Sequence, residues 1–154
     1  MSRNLDQLYQ EMILEHNRNP KNFGELNNAT HIAHGKNPLC GDDFIVYLTI
    51  KNNKINDIRF HGNGCAISKS SGSLMTSILK DKMINEAIDI KNIFLELVTD
   101  SIQSTDNLKK IGKLKIFEGV KKYPIRVKCA TLTWRAVEAA INNPVGNESL
   151  VSTE

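Results

Sequence analysis

The sequence predicts an α+β fold. Three observations carry this: one region shows apolar alternation, most of the remaining chain shows helical spacing, and the two kinds of segment are segregated along the chain. Leu5, Leu8, Tyr9, Met12 and Ile13 recur at i, i+3, i+4, i+7 and i+8, an amphipathic first helix that must stop before Pro20. Phe44, Val46, Leu48 and Ile50 alternate, Lys51-Asn52-Asn53-Lys54 supplies a turn, and Ile55 to Phe60 returns, which makes an antiparallel hairpin. Residues 66–80 then turn helical, with Ala66, Ser68, Ser70, Ser71, Gly72 and Ser73 forming a small face suited to close packing. Helical spacing recurs over Ile84 to Leu97 and in Leu108, Ile111 and Leu114, and a last helix is expected from about Cys129 to Asn142.

The chain has 154 residues, 40% of them hydrophobic and 24% charged, with 9 Gly and 4 Pro, a composition that excludes fibrous and disordered classes. No internal repeat or linker divides it, so a single domain is expected over residues 1–143, followed by a flexible tail over 144–154. No stretch approaches the unbroken apolar length of a membrane helix. Met1-Ser2-Arg3-Asn4-Leu5 carries no apolar run of signal type, and Asp6, Glu11 and Glu15 disfavour a transit peptide, so a cytoplasmic location with reduced thiols is expected.

The net charge of +3 is unevenly placed: residues 109–128 hold eight basic residues against Glu118 alone, a local +7. An acidic protein surface is the better functional match than nucleic acid, because only Phe117 and Tyr123 interleave as aromatics and the charge is mostly Lys. The competing reading is a solvated helix face.

The three cysteines are an odd number, which excludes a self-contained disulfide framework. Cys40 lies in Asn37-Pro38-Leu39-Cys40-Gly41-Asp42, a Pro- and Gly-punctuated loop, with Asp42 two residues on where alternate side chains share a face. Cys65 follows His61-Gly62-Asn63-Gly64 and Cys129 follows Pro124, so both are expected at helix N-termini, where the dipole favours a thiolate. Three soft ligands and one carboxylate make a plausible tetrahedral zinc site. Three unrelated buried cysteines are the competing reading, and no C-x-x-C pair argues against it. His61 is the only histidine beside a cysteine turn and counts as an outer candidate alone.

The segments Asn37 to Asp42, Gly62 to Ser71 and Arg126-Val127-Lys128-Cys129-Ala130-Thr131-Leu132-Thr133-Trp134 closely resemble those of the U-type iron–sulfur assembly proteins: IscU, the NifU N-terminal domain and SufU. The likeness spans about residues 5 to 142. It implies a small antiparallel sheet of about three strands packed against several helices, with three cysteines and an aspartate gathered at one tip. Two features resemble the SufU type. Lys128 stands where scaffold members carry histidine, with Lys122-Tyr123-Pro124-Ile125-Arg126 in place of their chaperone motif. A basic insertion also occupies about residues 105–123.

The resemblance implies a zinc-bound acceptor of persulfide sulfur from a pyridoxal-phosphate cysteine desulfurase, a partner and activator rather than a stand-alone enzyme. Zinc would be held by Cys40, Asp42, Cys65 and Cys129. Cys40, on a loop beside Gly41, is the expected acceptor, and Arg126 and Lys128 are candidates for partner contact. The alternatives are a scaffold assembling a [2Fe–2S] cluster on the same four residues, and a structural zinc module. The expected partners are the desulfurase and downstream iron–sulfur assembly machinery, with neither nucleic acid nor membrane.

Overall fold

The computed structural model describes residues 5–99, 104–145 and 150–153. Helix α1 (Leu5–Arg18) is followed by strands β1 (His31–Asn37), β2 (Asp42–Lys51) and β3 (Lys54–Asn63), then by helices α2 (Ala66–Leu79), α3 (Ile84–Val98) and α4 (Thr105–Ile111). A 3-10 segment (Gly112–Lys122), helix α5 (Pro124–Ile141) and the short strand β4 (Leu150–Ser152) complete the described chain.

The β2–β3 hairpin turns on Asn52 and Asn53, both at positive φ (54° and 60°), the backbone a type I′ turn requires and Asn tolerates. Phe44, Val46 and Leu48 of β2 and Ile58 and Phe60 of β3 are fully buried, as the alternation predicts. The sheet, however, has four strands in the order β3-β2-β1-β4, with β4 parallel to β1, rather than about three antiparallel ones.

Strand β1 is invisible to apolar alternation because its inward positions are small. Ala33 is buried, and a Cβ on Gly35 would lie 3.1 Å from Leu132 Cδ1 of α5. Strand β4 arises within the segment expected as a tail, where Thr153 N–H also donates to Lys36 O (3.0 Å). It covers the otherwise unpaired edge of β1, and a three-residue strand is too short to show a period. Residues 146–149 and 154 of that segment lie outside the described residues.

The helices cover one face of the sheet. Helix α5 packs on β1 and β2, α2 packs on β3 and α5, and α1 and the 3-10 segment close the outside. Gly72 of α2 lets Phe60 approach so closely that a Cβ there would fall 2.7 Å from the ring. Trp134 stacks on Phe94 with centroids 4.6 Å apart and donates from Nε1 to Ser71 Oγ, tying α5 to α3 and α2.

The basic segment is only half a solvated face. Leu114, Ile116, Phe117 and Val120 are buried, with Phe117 edge-on to both Tyr9 and Phe94, while Lys115 and Lys122 are exposed. Helix α5 begins at Pro124, five residues earlier than expected, because proline at the first helical position is pre-set for a helix rather than a break before one. No described helix is long and apolar enough to cross a membrane.

Candidate metal centre

The loop Pro38-Leu39-Cys40-Gly41 joins β1 to β2, closing over the cross-strand pair Asn37 and Asp42. Cys40 N–H donates to Asn37 O (3.1 Å), and Gly41 has φ +71°, a left-handed conformation that lets so short a loop turn back into β2. Cys40 is thereby carried on a turn and is half-buried.

Asp42, the first residue of β2, is 2% exposed. Its Oδ1 accepts the N–H of Cys65 (2.8 Å) and its Oδ2 lies 3.9 Å from Cys65 Sγ. Cys65 is the N-cap of α2, where its sulfur accepts the N–H of Ser68 (3.4 Å) and meets the Ser68 hydroxyl (3.5 Å). Gly64 makes this approach possible: a Cβ there would come within 2.7 Å of both Asp42 Oδ1 and Ser68 Oγ.

Cys129 differs from expectation. It lies in the second turn of α5 rather than at its N-terminus and is 3% exposed, with Cys40 Sγ 3.0 Å from its own sulfur. Burial and packing, not the end of the helix dipole, set its chemistry.

The ligand atoms of Cys40, Asp42 and Cys129 all lie within 4.8 Å of one another, while the Cys65 sulfur stands outside that group and adjoins it through Asp42. The nearby Cys129 thiol lowers the Cys65 thiol to about 6, helped by the two Ser68 contacts and opposed by burial. Cys129 is pushed up by the neighbouring Cys65, with burial and Cys40 acting in the same direction. Two sulfurs and a buried carboxylate lie within ligand distance of one another, with the Cys65 sulfur beside that carboxylate, and thiolates with one carboxylate are donors that fit zinc and also an iron–sulfur unit.

The NifU-like N terminal domain model matches residues 8–130. The chain belongs to this family. Among NifU-like relatives, the zinc-dependent sulfurtransferase SufU of Bacillus subtilis is 36% identical over 143 residues, covering 93% of this chain and 95% of that one. The iron–sulfur cluster assembly scaffold protein IscU of Streptococcus pyogenes is 36% identical over 148 residues, covering 95% and 90%. A crystal structure of a SufU from Fervidobacterium islandicum, assigned as a cluster assembly scaffold of the SUF system, superposes with a TM-score of 0.81 at 32% identity, covering 88% of this chain and 97% of that one.

Within this NifU-like frame the remaining candidates fall apart from one another. Arg126 is exposed and lies over the Tyr123 ring (4.4 Å), lining an open groove of about 610 Å³ with Tyr9 and Ile67. Lys128 is half-buried, and its carbonyl accepts the Thr153 hydroxyl (3.4 Å). His61 is exposed with its ring against Phe23, and among the described residues no contact ties it to the thiols. Ser68 and Asn37, both buried beside the sulfurs, lie within the motif segments but are not among the candidate site residues that the sequence offers. Ser68 is legible in hindsight as the third residue after an N-cap.

Proposed function

We propose that the chain is a zinc-dependent sulfur acceptor in iron–sulfur cluster assembly, taking persulfide sulfur from a cysteine desulfurase onto Cys40. The observation that carries this is the asymmetry among the thiols. Cys40 rides a turn and is half-exposed, whereas Cys65 is fastened as a helix cap and Cys129 is buried in α5.

Cys40, Asp42, Cys65 and Cys129 would hold the zinc, which when bound keeps thiolates deprotonated at neutral pH. The Cys40 thiolate attacks the outer sulfur of the partner's persulfide. One sulfur–sulfur bond forms at Cys40 and one breaks in the partner, whose cysteine leaves as a thiolate. Gly41, with no atom within 4 Å of where a Cβ would stand, leaves the turn room to carry Cys40 outward. Arg126 and the exposed lysines offer a basic rim for an acidic partner surface, which would set encounter rate more than affinity.

A scaffold assembling a [2Fe–2S] cluster is the second reading, since the same donors suit it and several relatives are named as scaffolds. Metal analysis of anaerobically purified protein separates the two: zinc at about one per chain supports the acceptor, while bound iron with visible absorption selects the scaffold. Unfolding on chelation would select a structural zinc module instead, but the continuous core from Phe44 to Trp134 gives the metal-free chain its own reason to stay folded.

A further inference from the structure

Asn37 is a polar residue with no exposed surface at the end of β1, and its Oδ1 has no hydrogen-bond partner. A buried unpaired amide oxygen is costly to a fold, so its retention asks for a reason outside folding. Its remaining contacts all lead to the cluster. The backbone carbonyl accepts Cys40 N–H (3.1 Å), the residue pairs across the strands with Asp42, and Nδ2 donates to Cys129 Sγ at 3.8 Å.

We propose that Asn37 is a positioning residue for the metal centre, its side-chain amide donating to the Cys129 sulfur so that Cys129 stays a fixed ligand while Cys40 is the sulfur that is released. In the zinc-bound state an N–H···S bond draws charge from the thiolate and orients the sulfur toward the metal, and in the metal-free protein it pins the buried Cys129 thiol away from solvent. Among the described residues, Cys40 Sγ has Cys129 as its one hydrogen-bonding neighbour, so the amide discriminates between two sulfurs only 3.0 Å apart. The inference rests on the zinc reading for its effect on metal affinity, and on the geometry alone for its effect on thiol reactivity.

Asn37→Leu tests it, because Leu has the same branching and removes both the donor and the orphaned oxygen. Chelator competition should show zinc bound about 10–100-fold more weakly, while the melting temperature of the metal-free protein is unchanged or raised. Iodoacetamide mapping of the metal-free protein should show Cys129 modified several-fold faster relative to Cys40. Asn37→Ala, which leaves a cavity instead of a tight fit, should show the same two changes at a lower melting temperature.

Zinc affinity within twofold of the parent in both variants overturns the proposal, as does a lower melting temperature in Asn37→Leu with no shift in the Cys129-to-Cys40 ratio. A parent protein that binds no zinc defeats the functional reading. The alkylation ratio then decides the role of Asn37 by itself: a shift supports it and an unchanged ratio overturns it.

Discussion

The sulfurs of Cys40 and Cys129 lie 3.0 Å apart although 88 residues separate them in the chain, one carried on the β1–β2 turn and the other on α5. The contact is held from both sides. Asn37 and Gly41 shape the turn, and α5 is pinned by Ala130 O accepting the Ser71 hydroxyl (2.6 Å) and by Trp134 on Phe94. A thiol on a turn thus faces one fixed in a helix across a site with a buried carboxylate, which is the asymmetry the proposed transfer step needs.

Gly64→Ala should damage the centre without removing a ligand. The added Cβ meets Phe44 Cε2 at 2.5 Å as well as Asp42 Oδ1 and Ser68 Oγ, and neither the ring nor the capped serine has room to retreat. We expect the variant to fold with stability lower by about 1–3 kcal/mol and to bind zinc at least tenfold more weakly. Calorimetry together with chelator competition checks both.

In metal-free protein the Cys65 thiolate should persist to about pH 6, with Cys129 still protonated at neutral pH. A thiol lowered in the folded state adds stability that is present above its unfolded value, near 8.5, and lost as pH falls through about 6. Thiolate absorbance in the ultraviolet should titrate near that value, and Cys65→Ser should remove the transition.

His16 gives a second, independent pH effect. Its Nδ1 lies 2.6 Å from Ser73 Oγ, which also accepts Lys21 N–H (2.7 Å), so Ser73 gives its proton to a neutral ring and fastens α1 to α2. Burial, then Lys113 and Lys21, hold the ring's pKa below the usual histidine value. A base lowered by folding contributes stability above its unfolded pKa near 6.5, and that contribution is lost as pH falls through the lower folded value. Melting curves should drop over this range in the parent and drop less in His16→Gln.

Lys91 is 5% exposed and pairs with Glu138, joining α3 to α5. Glu138→Ala should cost about 1–3 kcal/mol by stranding the buried ammonium. Lys91→Met should be close to neutral, since an apolar chain of similar length fits the same channel. Denaturant unfolding of the two variants checks the order.

What the sequence made legible follows from how local its cause is. The hairpin, α2 and α3 announce themselves by period and by Asn52-Asn53, and the four candidate ligands by short motifs with Gly and Pro beside them. Strand β1 stayed hidden because its inward positions Ala33 and Gly35 are small, Gly35 to admit Leu132, a demand made by a helix about a hundred residues away. The true start of α5 stayed hidden because Pro124 reads equally as a break and as a first helical residue. Asn37 carries no sequence signal of burial, since only the assembled tip shows that its amide faces a sulfur.

The central claim is that Cys40 receives sulfur. The most direct measurement is the intact mass and peptide map of the zinc-loaded protein after reaction with a cysteine desulfurase and cysteine, for the parent and for Cys40→Ala. The expected result is the mass of one added sulfur on the Cys40 peptide of the parent, with no sulfur on Cys40→Ala and no stimulation of alanine release by it. Sulfur on Cys65 or Cys129, or undiminished stimulation by Cys40→Ala, would contradict it.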